Sequence, residues 1–181
     1  MYRFEDIAIR KFTEEDIQLK INWINDPRVN KHLHYDLPLE YEKTYKWYLN
    51  AITKKDRFDG IIEYYGKPIG IIGVTNIDFD KKCGEDYLVI GDVSAWGKGL
   101  ATKAGVLNEL FLRDAYGLDY VYGLIEYDNI SSLNQAIRRG GKFDSLLPGY
   151  YTQNGRKKDA FRINYYPENI PEKALMGLIN D

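Results

Sequence analysis

Hydrophobic and polar residues recur along the chain at two different periods, and each period predicts one kind of secondary structure. Alternation at every second position predicts strands, whereas apolar residues three and four positions apart predict helices. The strand-like segments are residues 6–12, 60–65, 68–79, 86–91 and 119–127, followed by a hairpin over 142–166 that turns near Asn154 and Gly155. The helix-like segments run from Thr13 to Ile24 and over 41–52, 97–116 and 129–139, with about 168–181 as a terminal helix or loose tail.

Local signals mark the ends of several predicted helices. Thr13 followed by Asp16 has the capping-box pattern at the start of the first helix, and Pro27 comes just after its end. Gly117 and Gly140 stand where the third and fourth helices are expected to stop, since glycine adopts the left-handed conformation that closes a helix. The three strands between residues 60 and 91 are joined by short polar turns and therefore predict an antiparallel meander.

The second predicted helix carries aromatic side chains. Tyr41, Tyr45, Tyr48 and Ile52 are spaced for one apolar face. Trp47, Tyr45 and Tyr48 are also the kind of side chains that line a pocket, but their helical spacing is more typical of a hydrophobic core.

Composition narrows the class of protein. With 181 residues, 44% hydrophobic and 29% charged, the chain has the size and composition of one globular domain, residues 1–181. A formal charge of −2 makes nucleic acid an unexpected partner, and no apolar run is long enough to predict a membrane span. The single cysteine, Cys83, and the absence of a leader-like start predict a cytoplasmic protein with a reduced thiol.

A glycine-rich stretch joins the strand ending at Gly91 to the next helix. Residues 91–105 read GDVSAWGKGLATKAG, and glycines at a strand-to-helix junction allow a ligand to approach the backbone closely. The start of a helix favours an anion, so this loop is suited to a phosphate. Its spacing matches neither the Walker loop nor the G-x-G-x-x-G motif, and a tight turn that binds nothing stays open as an alternative.

Several motifs in this order resemble the GNAT superfamily of N-acetyltransferases. WGKGLA, residues 96–101, resembles its acyl-CoA loop Q/R-x-x-G-x-G/A, with Trp96 in place of the usual first residue. The form GD…WGKG resembles the RimJ/RimL-like branch, which includes protein, spermidine and amino-sugar acetyltransferases. The resemblance extends over nearly the whole chain through IRKFTEEDI, WINDPRV, DNISSLNQAIRRGGKF and GRKKDAFRINYY.

The resemblance implies an α/β fold with a mixed, mostly antiparallel sheet, splayed at the strand that ends near Gly91 and flanked by about four helices. Acetyl-CoA, the co-substrate, would lie in the opening, its pantetheine arm meeting backbone groups left without strand partners. Its pyrophosphate would rest on the amides of residues 96–102, and Asn129 would bind pantetheine or cap its own helix. The expected cofactor-binding residues are Val89, Ile90, Gly91, Trp96, Gly97, Lys98, Gly99, Leu100, Ala101, Thr102 and Asn129.

Direct acetyl transfer requires a base for the amine, a donor for the developing oxyanion and a proton for the leaving thiolate. By resemblance, Glu85 is the expected base, with Asp86 as the alternative, and the backbone N–H of Ile90 or a neighbour is the oxyanion donor. Many relatives carry a tyrosine that acts as the general acid at the position where this chain has Ala136. Water, backbone dipoles or another tyrosine such as Tyr150 or Tyr151 would have to replace it.

His32 and His34 lie between the first two helices, which border the acceptor pocket in this superfamily. Histidine titrates near neutral pH, so either one is a candidate for substrate binding or proton relay. Exposed structural side chains are the simpler interpretation. A metal site is not expected, because the sequence offers the pair no clear third ligand.

The resemblance leaves the acceptor open. The first prediction is a small primary amine on an amino sugar, possibly nucleotide-linked, and the alternatives are a peptide N-terminus or a polyamine. A homodimer is the expected assembly. Two readings from other classes stay open: a non-catalytic acyl-CoA sensor, and a nucleotide binder of another fold.

Overall fold

The computed structural model describes residues 1–4, 6–153 and 155–174, and these form one eight-stranded sheet with α-helices on both faces. In sheet order the strands are β1, β2, β3, β4, β5, β6, β8 and β7. Their bounds are β1 Tyr2–Phe4, β2 Ile7–Lys11, β3 Phe58–Tyr64, β4 Lys67–Asp78, β5 Cys83–Ile90, β6 Tyr120–Glu126, β7 Lys142–Gln153 and β8 Arg156–Tyr165. The α-helices are α1 Ile17–Asn25, α2 Tyr41–Ala51, α3 Leu100–Tyr116 and α4 Ile130–Arg138.

Neighbouring strands pair antiparallel except β5 and β6, which are parallel. The mixed, mostly antiparallel sheet with four flanking helices confirms the predicted fold class. The predicted hairpin at the end of the chain corresponds to β7 and β8, which pair up to Gln153 opposite Arg156. Gly155 has φ +74°, and the predicted turn residue Asn154 lies outside the described residues.

Alternation along the strands separates two cores. Ile62 packs with residues of α3 on one face of the sheet, while its neighbour Ile61 packs with Ile17, Ile21 and Ile24 of α1 on the other. Both isoleucines are fully buried, so β3 lies in the middle of the molecule. None of the helices in the described ranges is long and apolar enough to cross a membrane.

The predicted start of the first helix is confirmed. A 3-10 turn over Glu14–Asp16 leads into α1, and the Asp16 carboxylate accepts from the backbone N–H and the hydroxyl of Thr13 at 2.8 and 3.0 Å. Arg10 of β2 donates to both oxygens of the same carboxylate at 2.7 Å. This anchors the start of α1 to the sheet.

Two predicted details are wrong. The third helix begins at Leu100 instead of Gly97, because Gly97 and Gly99 have φ values of +76° and +74°, outside the helical region. The buried residues of α2 are Thr44 and Ala51, whereas Tyr41 and Ile52 of the predicted apolar face are exposed. Small side chains allow the closest approach to the sheet, and the partly buried rings of Tyr45, Trp47 and Tyr48 pack beside them.

The end of the chain is described only in part. A 3-10 turn covers Pro167–Asn169 and residues 172–174 are helical. The rest of the predicted terminal helix or tail, 175–181, lies outside the described residues.

Candidate functional site

The sheet opens between β5 and β6. These strands pair only at Cys83 with Tyr120, Gly84 with Val121 and Glu85 with Tyr122, whereas the other edge of β5 pairs with β4 as far as Ile90. From Asp86 to Ile90, β5 therefore has a strand neighbour on one side only. The result is the predicted splay, a gap with β5 as one wall and the second half of β6 as the other.

Backbone groups of β5 point alternately towards β4 and towards the gap. The N–H of Gly91 donates to the Ile69 carbonyl at 2.9 Å. By the same alternation Val89, opposite Ile71, turns its N–H and carbonyl to β4. The expectation of unpartnered backbone groups is therefore wrong for Gly91 and Val89 and holds for Ile90, whose N–H faces the gap. By the same alternation, the backbone N–H and carbonyl of Leu88 also face the gap.

The Ile90 carbonyl is already occupied. The Trp96 indole N–H donates to it at 2.9 Å, although 45% of Trp96 is exposed. This contact folds the glycine loop back over the end of β5. It also gives Trp96 a structural role that the family resemblance does not predict.

Glycine is required in this loop for two separate reasons. A Cβ on Gly91 would lie 2.1 Å from Cγ of Trp23, so the α1 tryptophan packs directly on the backbone. At Gly97 and Gly99 a Cβ would meet nothing within 4 Å, and the requirement there is the positive φ. The loop thus leaves open space above the start of α3.

Five consecutive amides border that space. The N–H groups of Trp96 and Thr102 donate to the carbonyls of Val93 and Gly99 at 3.2 and 3.0 Å. Within the described ranges, the N–H groups of residues 97–101 have no acceptor. Residues 97–101 therefore present free backbone amides at the start of a helix, an arrangement that suits an anion, whereas the prediction also included the amides of residues 96 and 102.

Asn129 caps α4. Its Oδ1 accepts from the N–H of Ser132 at 3.2 Å, while its amide NH₂ has no acceptor among the described residues. Gln135 of α4 donates to the Ala101 carbonyl at 3.2 Å, which ties α4 to the start of α3. The N-cap role is thus in place, and the NH₂ group stays available for a ligand.

Glu85 and Asp86 point to opposite faces of the sheet, as alternation requires. Asp86 is 8% exposed and accepts from Arg139 Nη1 at 2.8 Å and Asn108 Nδ2 at 2.9 Å. With both oxygens occupied by buried partners, Asp86 is not available as a base. Glu85 is half-buried and accepts from Asn76 Nδ2 at 3.1 Å.

A buried charge cluster lies behind Asp86. Arg139 donates to Glu109 at 2.9 Å and stacks on the Tyr165 ring at 3.9 Å, so α4 is joined to α3, β5 and β8. Burial raises the pKa of Glu109 to about 7 despite the opposing effect of Arg139, and nearby Asp86 adds to the rise. Among the described residues the second oxygen of Glu109 has no hydrogen-bond partner, which also favours the protonated carboxyl.

A second cluster, here called the rim cluster, comprises Glu126 with His32, His34, Asp128 and Lys158. Glu126 ends β6 with a side chain 1% exposed. His32 Nδ1 and Lys158 Nζ lie 2.8 and 2.9 Å from its Oε2, and His34 Nε2 lies 3.0 Å from its Oε1. Both histidines therefore contact the Glu126 carboxylate at the gap; His32 is half-buried and His34 is exposed, and partial burial lowers the pKa of His34.

The rim cluster already contains a cation. Ligand atoms of His32, Glu126 and Asp128 lie within 4.8 Å of one another, a spacing that a metal ion can use. The Lys158 ammonium lies 2.9 Å from Glu126 and 3.3 Å from Asp128, so it supplies the positive charge there. Sequence reasoning missed Glu126; the available signal was a charged residue ending an apolar strand.

Tyr151 connects the rim cluster to the gap. Its ring stacks on His34 with centroids 3.7 Å apart, and its hydroxyl donates to the Leu124 carbonyl of β6 at 3.3 Å. Burial raises the pKa of Tyr151, with the nearby Tyr150, Glu85 and Glu126 adding to the rise. Tyr150 is exposed.

Comparison with known proteins bears on the family. A sequence model described as an acetyltransferase (GNAT) domain matches residues 6–142. A curated relative, the uncharacterized protein MJ1062 of Methanocaldococcus jannaschii, is 26% identical over 132 residues, which are 70% of this chain and 26% of that protein. The chain thus spans about a quarter of the length of that relative.

Solved structures share the fold. A spermidine N-acetyltransferase from Vibrio cholerae in complex with CoA and spermine superposes with a TM-score of 0.82 at 17% identity, covering 91% of this chain and 97% of that one. A dodecameric form of the V. cholerae spermidine enzyme gives 0.77 at 17% identity, covering 90% and 95%. At such identity the likeness concerns the fold.

The predictions of an N-acetyltransferase and of acetyl-CoA as co-substrate are confirmed at the level of the family. The RimJ/RimL-like branch is a finer division than the family match distinguishes. With the GNAT model spanning well over half of the chain and the sheet open at β5, the chain belongs to the acetyltransferase (GNAT) family.

Proposed function

We propose that this chain transfers the acetyl group of acetyl-CoA directly to the primary amine of a small acceptor bound at the gap. The observation that carries the proposal is the one-sided pairing of β5 above Glu85, next to five amides without acceptors at residues 97–101. The amides suit a pyrophosphate, and the gap-facing N–H of Ile90 suits a developing oxyanion.

Two side chains are assigned to the chemistry. Glu85 takes the proton of the attacking amine as the C–N bond forms, directly or through water. The C–S bond then breaks and its electron pair passes to sulfur. Tyr151, whose hydroxyl lies at the Leu124 carbonyl, is the candidate donor of a proton to that thiolate, because Ala136 occupies the family's tyrosine position and is buried.

The comparisons support a polyamine as the first acceptor class to test. The similar folds are spermidine N-acetyltransferases, and one of them was solved with spermine. Glu85 suits such an acceptor because, in the part of the chain that the structure describes, its carboxylate has an amide partner and no cation. The amino sugar, the first prediction from sequence, receives less support from the comparisons.

An amino sugar remains the second candidate because cations stand on the same side of the sheet as Glu85. Lys158 contacts Glu126, and the Arg162 guanidinium lies 3.7 Å from the centre of the Tyr122 ring, opposite Glu85. These groups offset the negative charge that a polyamine prefers. A hydroxyl-rich sugar tolerates such a mixed lining.

The test measures thiol release from acetyl-CoA with spermidine, spermine, amino sugars, a nucleotide-linked amino sugar and short peptides. Glu85→Gln should lower kcat for the productive amine by roughly 100-fold or more, as expected for loss of a general base. The Kd of the Glu85→Gln variant for acetyl-CoA should equal that of wild type. Glu42→Gln on the exposed side of α2 is the matched control.

The outcomes separate the alternatives. Normal transfer by Glu85→Gln at every pH would show that another group is the base. CoA binding without thiol release from any amine would favour an acyl-CoA sensor. Stabilisation by ATP or NAD but not by acetyl-CoA would contradict the proposed use of the gap.

A further inference from the structure

A second cavity lies away from the gap. It has a volume of about 390 Å³ and is bounded by the last turns of α2 and α3, the end of β2 and the start of β3. None of its lining residues belongs to the glycine loop, to the gap walls or to the rim cluster. Its volume falls within the range of small-molecule sites, roughly 300–1,000 Å³.

Positive charge dominates the lining. Lys11, Lys54 and Lys55 are exposed at its edge and make no ion pair in the described ranges, while Arg57 lies deeper. The single acid, Asp59, is held by Arg57 through two contacts of 2.7 Å and accepts from Tyr87 at 2.6 Å. The acid of the lining is therefore already paired with Arg57 and leaves the three lysines without a partner in the cavity.

Aromatic rings form the apolar part of the cavity. Trp47 and Tyr48 enter from α2, Phe58 from β3 and Tyr116 from the end of α3. The rings of Phe58 and Tyr116 lie 6.3 Å apart, and burial raises the pKa of the Tyr116 phenol. All four side chains are half-buried, and the Lys20 ammonium covers one face of the Trp47 ring at 3.1 Å from its centre.

We propose that this basic cavity is a nucleotide site. Its rings suit stacking against a planar base, and the ammonium groups of Lys54 and Lys55 suit the phosphates as point charges. A neutral aromatic ligand would contact only the rings of the cavity, and a non-aromatic anion would contact only its lysines. The binding site does not depend on acetyl transfer and goes beyond the proposed function.

Two kinds of molecule carry the nucleotide that this cavity suits. The nucleotide is either a free effector or the nucleotide portion of an acceptor whose amine reaches Glu85. Tyr87 is relevant to the second source, because it bonds to Asp59 of the cavity and stands two residues beyond Glu85 on the same strand. Kinetics distinguishes the two, since only an acceptor fragment must compete with the amine substrate.

The test is a calorimetric titration of the CoA-saturated chain with UDP, ADP, uridine and inorganic phosphate. Saturation with CoA keeps the diphosphates away from the amides of residues 97–101. We expect one molecule of UDP or ADP to bind per chain, more tightly than uridine or phosphate. Lys54→Gln with Lys55→Gln should weaken this Kd at least about tenfold, equivalent to 1.4 kcal/mol.

Lys142→Gln with Lys173→Gln is the matched control, because it removes the same charge from exposed positions outside the cavity. Absence of diphosphate binding up to millimolar concentration, or equal Kd values for the cavity variant and wild type, would overturn the proposal. Binding without acetyl transfer to any amine would leave the cavity site standing and refute the proposed function instead.

Discussion

Glu109 allows a quantitative test of the charge cluster behind the gap. Two buried carboxylates, Asp86 and Glu109, share the single guanidinium of Arg139, so the cluster has one negative charge too many when both are ionised. Burial raises the pKa of Glu109 from 4.5 to about 7 against the opposing effect of Arg139, and the nearby Asp86 carboxylate adds to the rise. Glu109→Gln removes the excess charge and keeps an oxygen that can accept from Arg139.

The direction in which pH changes the stability of the fold follows from proton binding by Glu109. Between pH 4.5 and about 7 the folded chain holds a proton on Glu109 that the unfolded chain has released, so rising pH destabilises the fold. At about 1.4 kcal/mol per pH unit, wild type loses roughly 2–3 kcal/mol through this group between about pH 5 and pH 8. Glu109→Gln has no carboxyl at position 109 and does not lose this stability as pH rises.

The assay is urea unfolding of wild type and Glu109→Gln at a series of pH values. The free energy of unfolding of the variant, minus that of wild type, should rise by roughly 2–3 kcal/mol from about pH 5 to pH 8. The same difference for the exposed control Glu15→Gln should vary by less than about 0.5 kcal/mol. A pH-independent difference for Glu109→Gln, or one that falls with pH, would refute the reasoning.

Two further predictions concern the binding of the co-substrate. Gly99→Ala should destabilise the fold by about 1–2 kcal/mol and weaken CoA binding, because the positive φ of Gly99 orients the free amides. Gly66→Ala, in a distant turn, should reduce stability and leave CoA binding unchanged. Equal Kd values of the two variants for CoA would show that the amides do not bind it. Asn129→Ala should cost about 1 kcal/mol through loss of the N-cap, and Asn129→Ser should restore stability. If the serine variant also binds CoA as wild type does, the Asn129 amide is not a ligand, as titration calorimetry would show.

Much of the fold was predictable from periodicity because alternation and helical spacing act locally. The strands around Ile61 and Ile71 and the helix ending at Gly117 all lie where the pattern placed them. The α2 face was less predictable, since Tyr41 is exposed while the small Thr44 and Ala51 are the residues of this helix that are buried. Apolar character alone does not decide which side chain fits closest to a sheet.

The site was predictable in its backbone part and not in its side-chain clusters. Glycine spacing located the loop that carries the free amides, and the resemblance predicted the splay. By contrast, His32 and Glu126 are 94 residues apart, and Arg139 reaches Asp86 across 53 residues. No local pattern pairs such positions, because their contact is created only when strands and helices pack.

The short length of the opening in the sheet has a consequence for self-association. An unpaired strand edge invites another molecule to add a strand, which is a common start of aggregation. Here the free edge of β5 runs only from Asp86 to Ile90, and its last carbonyl is covered by the Trp96 indole. A foreign strand would find at most five residues to pair with and would meet the indole at the last of them, so the short edge favours a slender ligand over another polypeptide.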